Sequence, residues 1–439
     1  MRHFFKSLIV RVLTWEARHV LLRRHPFIIA VTGSVGKTST KDAIYHVLRN
    51  STPTRKSQKS FNSELGIPLT VLGLSNAWNN PFGWMVNIIK GFVLSILPYT
   101  YPKLLVLEVG ADHPGDIKNV TKWVKPDIAV ITRLPDRPVH VENFASPEEV
   151  AKEKAELVKA LSANGVFVAN ADDPLVLGLM GTTRARMFTY GFSESAQVRG
   201  SYPQVEYEEK NGVRMPIGIL FRVDWQGSSV PVRLPGVLGI QPCMAALAAL
   251  AVGIVRGEPL LPMAEALSTL ETPQGRMRIL EGKNNTVIID DTYNASPVAT
   301  EAALDTLRTL SGGRKIAALG DMLELGKYSE EEHERIGTVA GKFVDELVLV
   351  GKRAKGIGEG AKNAGLDAAY IHYFENSLEA GKWLAGQIHD GDIILAKGSQ
   401  GSGEQMIRME RAVKELLMHP DKAPHLLVRQ EKEWLKQYQ

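Results

Sequence analysis

The sequence has a single cysteine, Cys243, among its 439 residues. One cysteine excludes a disulfide within the chain and is typical of proteins from a reducing compartment. Basic residues barely outnumber acidic ones, 52 against 48, which does not favour a nucleic-acid partner. No apolar run is long enough to cross a bilayer, and the first residues lack the cleavage site of a signal peptide. We therefore expect a cytoplasmic protein that binds no nucleic acid.

A chain of this length predicts two or three domains. From residue 27 onwards, apolar runs alternate with helical patterns, which is typical of a doubly wound α/β domain with a parallel sheet. Residues 196–235 differ, because β-rich runs separated by Asn-Gly and Gln-Gly turns predict a small antiparallel β insert. The expected parallel strands of this domain are residues 27–31, 104–107, 128–132 and 166–170.

The α/β alternation restarts near Gly275 and predicts a second, Rossmann-like α/β domain at the C-terminus. Its expected strands are residues 287–289, 315–319, 346–350 and 392–396, and its last helix lies near 404–417. The predicted division is an N-terminal helical segment 1–24, a central domain 25–273, a C-terminal domain 274–420 and a tail 421–439.

The densest chemical motif lies where the first predicted strand ends. The chain there reads Thr-Gly-Ser-Val-Gly-Lys-Thr-Ser from residue 32 to residue 39, a shortened glycine-rich phosphate loop. Glycines let backbone N–H groups approach phosphate oxygens, and the start of the next helix adds positive partial charge. The alternative is an ordinary strand–helix turn that happens to contain a lysine. The predicted ATP-binding residues of this loop are Gly33, Ser34, Val35, Gly36, Lys37, Thr38 and Ser39.

Three further residues of the central domain could take part in chemistry. Glu108 ends a predicted strand, where ligands bind in open α/β sheets, so it is either a Mg²⁺ ligand or a surface carboxylate. His140 lies in a loop after the next strand, and taken alone it is an ordinary loop histidine. Lys154 lies on a predicted helix, and taken alone it is a solvated surface charge.

The C-terminal domain has three polar motifs at the ends of predicted strands. They lie at residues 290–297, 319–326 and 395–399. Any one of them could be an ordinary strand-end loop. Because parallel strands of one sheet end at the same edge, we expect the three to converge on one crevice.

Residues 82–97 are mostly apolar but contain Asn87 and Lys90, so they are too interrupted to span a membrane. A buried helix or a partner-binding helix is the simpler interpretation. The alternative is a peripheral, in-plane membrane contact, with Trp78 and Trp84 as interfacial anchors.

Taken in order, these motifs resemble those of the Mur ligase family. Its members are ATP-dependent enzymes that join an amino acid or a dipeptide to a carboxylate of a cell-wall precursor. The resemblance covers about residues 25–418 and depends most on Tyr-Asn-Ala at 293–295 and Gly-Asp-Met-Leu-Glu-Leu-Gly at 320–326. It is strongest to the members that add D-alanyl-D-alanine to a muramoyl-peptide carboxylate through an acyl phosphate. The alternatives are a ligase for a different, non-UDP acceptor and a non-catalytic nucleotide-binding scaffold.

The resemblance also implies roles for individual residues. Lys37, Lys154, Arg276 and Asn294 would be catalytic, with Arg276 at the γ-phosphate and Lys154 carbamylated. Asp290 and Asp291 would face nucleotide or acyl phosphate together with Asn294. The implied ligands of one or two Mg²⁺ ions are Thr38, Glu108, His140 and carbamylated Lys154. The implied substrate-binding residues are Asn62, Ser63, Asp321, Glu324, Lys397 and Ser399.

Three differences from the family pattern are visible in the sequence. Only about 30 residues precede Gly33, so we expect a short form without the N-terminal UDP-binding domain, acting as a monomer. Residues 237–242 lack the His-Asn motif that helps to hold adenine in the relatives. Gln400 stands where the relatives have an arginine after Lys-Gly-Ser.

Overall fold

A computed structural model describes residues 2–58, 61–97, 99–138, 141–210, 212–401 and 406–435 of the chain. Two sheets organise it, one of nine strands and one of six. The strands of the first sheet are β1 Phe27–Thr32, β2 Thr54–Lys56, β3 Leu104–Glu108, β4 Ile128–Ile131, β5 Val166–Asn170, β6 Arg186–Gly191, β7 Val198–Lys210, β8 Val213–Trp225 and β9 Ser228–Pro235. The helices of this part are α1 Arg2–Arg24, α2 Lys37–Leu48, α3 Gly66–Leu72, α4 Pro81–Ile96, α5 Asp116–Thr121, α6 Pro147–Lys159, α7 Pro174–Leu177, α8 Ile240–Val255 and α9 Leu260–Leu267.

The first sheet has the strand order β2-β3-β1-β4-β5-β6-β7-β8-β9. Strands β1 to β6 pair in parallel, whereas β7, β8 and β9 pair with one another antiparallel. The predicted parallel sheet and antiparallel insert are therefore confirmed. The insert is not a separate layer, because β7 pairs with β6 and so extends the same sheet.

Helices cover both faces of the parallel part. Along β1, Ile29 and Val31 pack in the core shared with α2 and α8, while Ile28 and Ala30 pack in the core shared with α1 and α3. A strand that is buried on both faces reads as a continuous apolar run, which is why β1 was recognisable from the sequence.

The second sheet has the order β10-β11-β15-β12-β13-β14, with only β10 antiparallel to its neighbour. This is the predicted Rossmann-like domain. Its strands are β10 Arg278–Glu281, β11 Val287–Asp291, β12 Lys315–Gly320, β13 Glu346–Val350, β14 Ile371–Phe374 and β15 Ile393–Lys397. Its helices are α10 Pro297–Thr309, α11 Ser329–Ala340, α12 Lys355–Asn363, α13 Ser377–Ala385, α14 Glu410–Leu416, α15 Ala423–Leu426 and α16 Lys432–Leu435.

The chain after residue 420 is not a detached tail. Leu427, Val428 and Arg429 are all buried, and Leu427 belongs to the core that packs under the second sheet. The described end of the chain is thus part of the C-terminal domain.

The predicted helix at residues 82–97 is α4, but five of its large apolar side chains are exposed, and Trp84, Ile88 and Leu94 are only partly buried against the core. The interpretation of this segment as a buried helix is therefore wrong. No helix in the described ranges combines the length and the apolar character needed to cross a membrane.

Candidate active site between the two sheets

The carboxyl ends of strands from both sheets face one cavity of about 560 Å³. β1 leads into the glycine-rich loop and β3 ends at Glu108, whereas β11 and β15 contribute Asp291 and Lys397 from the other side. Strand ends are where open α/β sheets bind their ligands. A site between two such sheets can close on a ligand that both domains contact.

The loop between β1 and α2 depends on two glycines. Gly33 has a φ of +140° and Gly36 a φ of +86°, values that side-chain-bearing residues rarely adopt. A Cβ atom at Gly33 would lie 2.0 Å from Thr132 Oγ1. That hydroxyl donates a 2.6 Å hydrogen bond to the carbonyl of Val35 and so braces the loop. The loop therefore directs backbone N–H groups and the start of α2 towards an anion.

Lys37 supplies the positive charge of this loop. Its Nζ donates a 2.9 Å hydrogen bond to the carbonyl of Gly33. Desolvation lowers the pKa of Lys37, Glu108 raises it, and the positive charge of Arg276 lowers it again. Because the charged form of Lys37 is disfavoured in this way, a phosphate beside it would stabilise that form and would itself be bound more tightly.

Glu108 is only 1% exposed, so its interpretation as a surface carboxylate is wrong. Asn62 Nδ2 donates to its Oε1 at 3.1 Å, whereas its Oε2 accepts no hydrogen bond from the described residues and lies 3.9 Å from Lys41 Nζ. A buried carboxylate oxygen without a hydrogen bond, lining the same cavity as Thr38, fits a Mg²⁺ ion.

The protein alone supplies few metal ligands here. Among the described residues there is no group of three or more His, Cys, Asp or Glu side chains that could hold a metal ion. Mg²⁺ in nucleotide sites usually takes one or two protein ligands and completes its shell with phosphate oxygens and water, and Thr38 and Glu108 match that arrangement. His140, the other implied ligand, lies outside the described residues.

Lys154 on α6 is 3% exposed, so its interpretation as a solvated surface charge is wrong. Burial, together with the positive charge of Lys37, lowers the pKa of Lys154 to about 7. Its neighbour Glu153 accepts hydrogen bonds from the backbone of α5 and the residue preceding it, at Gly115, Ile117 and Lys118. These bonds fix α6 and hold Lys154 near Lys37.

Arg276 connects the two domains directly. Its Nη2 donates a 3.0 Å hydrogen bond to Thr38 Oγ1 at the start of α2, and its guanidinium lies 4.2 Å from the centre of the Tyr293 ring. A cation from the C-terminal domain therefore reaches the phosphate loop of the central domain.

The two neighbouring aspartates at the end of β11 have different surroundings. Asp290 is fully buried and accepts hydrogen bonds from Gly275 N and Thr292 Oγ1, and burial raises its pKa to about 6. Asp291 lines the cavity and forms an ion pair with Lys397. Asp290 thus stabilises the loop after β11 from its buried side, and Asp291 faces the cavity.

Four of the six implied substrate-binding residues line the cavity, namely Asn62, Glu324, Lys397 and Ser399. Ser63 and Asp321 are not among its lining residues. Ser63 Oγ accepts a hydrogen bond from Gly66 N at the start of α3, and Asp321 accepts one from Ala354 N. The ATP-binding residues 34–39 line the cavity, as do Asn294 and Arg276, whereas Gly33 and Asp290 lie behind its wall. The individual roles remain predictions.

Arg429 is a residue of the site that sequence reasoning missed. Its guanidinium donates to the backbone carbonyls of Thr292 and Tyr293, to Gln400 Oε1 at 3.2 Å and to Glu410 Oε2 at 3.2 Å. An arginine from the end of the chain therefore holds the Tyr293 loop next to Gln400. The only sign in the sequence was the absence of an arginine at position 400. It did not indicate that Arg429 would lie next to that position.

A second missed residue is Lys41. It is fully buried beneath Glu108, and its Nζ donates to the carbonyl of Ser57 at 2.8 Å and lies 3.2 Å from Asp42. Its position one turn after Lys37 on α2 gave no sign that it would point into the protein.

A further part of the cavity wall, which we call the slot, is lined mostly by small and apolar residues. Residues 239–242 form one side of it. The other side is formed by α10 residues without bulky groups, which are Ala299, Ala302, Ala303 and Thr306.

Two family models match the chain. The model of the Mur ligase middle domain matches residues 31–82 and 88–250, and the model of the Mur ligase, glutamate ligase domain matches residues 275–400. Together they cover both sides of the cavity.

Similar proteins carry both domains in the same order. The UDP-N-acetylmuramoyl-tripeptide–D-alanyl-D-alanine ligase of Bacillus subtilis is 30% identical over 397 residues, which are 90% of this chain and 76% of that protein. A crystal structure of MurF from Acinetobacter baumannii matches with a TM-score of 0.73 and 25% identity, over 89% of this chain and 78% of that one. MurF from Thermotoga maritima in complex with ADP has the same fold, with a TM-score of 0.73 and 24% identity over 95% of this chain and 84% of that one.

Proposed function

The chain belongs to the Mur ligase family, and from that premise we propose that it joins D-alanyl-D-alanine to the carboxylate of a UDP-muramoyl-tripeptide. The reaction consumes ATP, forms ADP and phosphate, and serves peptidoglycan precursor synthesis. The observation that carries this proposal is the cavity in which Lys37 and Thr38 of one domain meet Arg276, Asp291 and Lys397 of the other.

The reaction has two chemical steps. A carboxylate oxygen of the acceptor attacks the γ-phosphorus of ATP, the bond to ADP breaks, and an acyl phosphate forms. The amine of the dipeptide then attacks the acyl carbon, phosphate leaves, and the amine loses a proton. Lys37 and Arg276 stabilise the charge of the transferring phosphoryl group from opposite sides. Mg²⁺ near Thr38 and Glu108 supplies further neutralisation of phosphate charge when bound.

Closure of the cavity serves the second step. An acyl phosphate is hydrolysed by water, so the domains must exclude water before the amine attacks. The Arg276–Thr38 hydrogen bond joins the two domains across the cavity. We place the adenine ring in the slot between residues 239–242 and α10, because its walls are small and apolar enough to take a flat ring.

The substrates meet at the side of the C-terminal domain. Lys397 also donates to the carbonyl of Asn294 at 3.0 Å, so Asp291, Asn294 and Lys397 form one unit at the cavity wall. We assign this unit to the carboxylates of the acceptor and of the incoming dipeptide. Because one chain supplies both halves of the site, we infer that it acts as a monomer, in the cytoplasm where ATP is made.

The test is phosphate release in the presence of ATP, Mg²⁺, D-alanyl-D-alanine and UDP-muramoyl-tripeptide. We expect release that depends on both amine and acceptor, and a loss of about 10³-fold or more in Lys37→Ala. Lys152→Ala, which changes an exposed lysine on α6, is the control and should behave as wild type. If the protein binds ATP tightly but releases no phosphate with any acceptor, lipid-linked or free, it is instead a nucleotide-binding scaffold.

We also propose that Lys154 is carbamylated and binds Mg²⁺ as an anion. Its burial favours the neutral amine, which adds to CO₂ to give a carbamate and release one proton. The carbamate would relieve the repulsion between Lys154 and Lys37 by reversing the charge. Glu108 would then share the metal with it.

Two measurements test the carbamate. Protein prepared with ¹³C-bicarbonate should show a carbamate carbon signal that is absent from Lys154→Ala and present in Lys152→Ala. Lys154→Ala should be inactive and partly restored by short carboxylates, whereas Lys154→Arg should stay inactive because guanidinium remains a cation. Full activity of Lys154→Arg would contradict the proposal.

A further inference from the structure

Helix α4 presents its apolar side to solvent and its small or polar side to the protein. Its buried residues are Asn87, Gly91 and Ser95. Its exposed residues recur at intervals of three and four positions and so form one stripe along the helix. They are Phe82 (67% exposed), Met85 (50%), Ile89 (55%), Phe92 (49%) and Ile96 (45%).

Helix α1 lies parallel to α4 and adds a second stripe. Gly91 packs against the carboxyl group of Glu16, and Arg23 donates to the carbonyls of Ser95 and Ile96 near the end of α4. Both helices pack on the same core of the central domain, so their outer faces point the same way. Three exposed apolar residues of α1, each seven positions after the last, are Leu8, Trp15 and Leu22, and Phe5 near the start of the helix is exposed too.

The charge around these two stripes is mostly basic, and the exposed exception is Glu64, which lies 3.5 Å from Lys6 of α1. Residues 1–41 contain a single acidic residue, Glu16, which is buried, and residues 65–107 contain none. The exposed charges on the two helices are basic, and they include Arg11, Arg18 and Lys90. An apolar face on which basic residues outnumber acidic ones is complementary to an anionic, amphipathic surface.

We propose that α1 and α4 form a docking face for an anionic phospholipid bilayer, with both helices lying in the plane of the interface. The apolar stripes enter the boundary between headgroups and acyl chains, and the arginines and lysine contact lipid phosphates. This inference goes beyond the ligase reaction and does not depend on it. A second copy of the chain fits this face less well, because a twofold contact would place basic residues against basic residues.

The placement of Glu16 is consistent with this face. Its Oε2 accepts no hydrogen bond from the described residues and lies against Gly91, where a Cβ atom would come within 2.0 Å of it. The carboxyl group thus sits in the seam between the helices rather than at their outer surface. It adds no negative charge to the face that meets lipid.

The experiment is co-sedimentation of the full chain with vesicles, at low and at high salt. One set of vesicles is phosphatidylcholine, and the other contains equal parts of phosphatidylcholine and phosphatidylglycerol. We expect binding to the anionic vesicles, weakened by salt, and little binding to phosphatidylcholine alone. Equal binding to both, or none to either, would overturn the proposal.

Matched variants identify the surface. Ile89→Glu should lower the partition constant tenfold or more, roughly as expected for losing one buried apolar side chain. Leu261→Glu on α9 changes a side chain of equal exposure, 53% against 55%, and should leave binding unchanged. Arg11→Glu and Lys90→Glu should each cost roughly fivefold or more, whereas Arg184→Glu, an exposed arginine elsewhere, should not.

The unfolding temperature and the oligomeric state are measured for the wild type and for each variant. Each variant should unfold at the wild-type temperature, because the changed residues are exposed. Sedimentation equilibrium should show a monomer in the absence of vesicles. A wild-type dimer that Ile89→Glu converts to monomer, together with no vesicle binding, would assign the face to a second copy and refute the membrane contact.

Discussion

The replacement Arg429→Ala should weaken both the C-terminal domain and the reaction, although Arg429 belongs to the predicted tail. In the structure this side chain is 7% exposed and donates to two backbone carbonyls, to Gln400 and to Glu410. Its guanidinium also lies 5.4 Å from the centre of the Tyr293 ring. Alanine removes all these contacts at once and leaves the carbonyl oxygens of the Tyr293 loop without this donor.

The cost follows from the charge and the burial. A hydrogen bond that involves a charged group is worth about 1.5–3 kcal/mol, and losing one member of a buried network costs about 3–5 kcal/mol in total because the bonds are not additive. Glu410 keeps its ion pair with Arg408, so the loss should not exceed this range. For a domain of this size it corresponds to a fall of about 10 °C in the Tm of the C-terminal domain.

Two measurements separate the contribution of Arg429 to stability from its contribution to positioning the Tyr293 loop. Urea unfolding followed by tryptophan fluorescence measures stability, and phosphate release gives kcat and KM. Arg429→Lys keeps the charge opposite Glu410, but a single ammonium cannot bond two carbonyls and Gln400 together. We therefore expect it to regain over half of the lost stability while kcat stays about tenfold low.

The control for this prediction is Lys422→Ala, an exposed residue of the same segment, which should change neither stability nor rate. Wild-type kcat in Arg429→Lys would mean that the residue only holds the chain end in place. Wild-type stability in Arg429→Ala would refute the reasoning altogether.

Three further outcomes follow from single contacts. Gly33→Ala should weaken ATP binding by at least about tenfold, because its Cβ would meet Thr132 Oγ1 at 2.0 Å and its φ is strained for alanine; calorimetric titration measures the loss. Asp291→Asn should destabilise the chain by about 3 kcal/mol in urea, since it leaves the buried ammonium of Lys397 without its carboxylate. Burial raises the pKa of Glu16 from its ordinary 4.5 to about 7, so the native state holds this proton more tightly and wild-type stability should fall as pH rises from 4.5 to 7. Glu16→Gln should lack that fall and exceed wild type by about 1–2 kcal/mol at pH 8, a difference that denaturation at pH 4 should not show.

The predicted parallel strands share one property, and two missed strands of the second sheet lack it. β5 and β13 were recognised because residues buried on both faces give unbroken apolar runs. β14 reads Ile-His-Tyr-Phe and β10 reads Arg-Ile-Leu-Glu, each four residues long and partly exposed at the edge of the sheet. At an edge only half of the backbone is paired, so neither length nor apolar character marks the strand.

The helical pattern of α4 was readable, but its orientation was not. Periodicity reports that apolar residues share a face and does not report which face is buried. Orientation is decided by α1, which approaches so closely at Gly91 that only small residues fit between the helices. That contact joins segments about 75 residues apart, so the local sequence could not reveal it.

The residues of the site also divide into those that the sequence could predict and those that it could not. Residues of the glycine-rich loop lie within eight positions, and their function depends on local backbone geometry that the sequence determines. Arg429, in contrast, reaches Tyr293 across 136 positions, and Lys41 is buried beneath Glu108, which a distant strand supplies. Contacts of this kind join residues that are far apart in the sequence, so they exist only once each domain has folded.

The electrostatics of the closed cavity explain why the two halves of the site need a common ligand. Lys37 from α2 and Arg276 from the C-terminal domain bring two cations to one place, and Arg276 lowers the pKa of Lys37 while Lys37 lowers that of Lys154. Protein groups alone leave this repulsion partly uncompensated, since Glu108 is shared with Lys41. A polyphosphate held between the domains offsets it. The same charges that stabilise phosphoryl transfer therefore favour the binding of a nucleotide between the two domains.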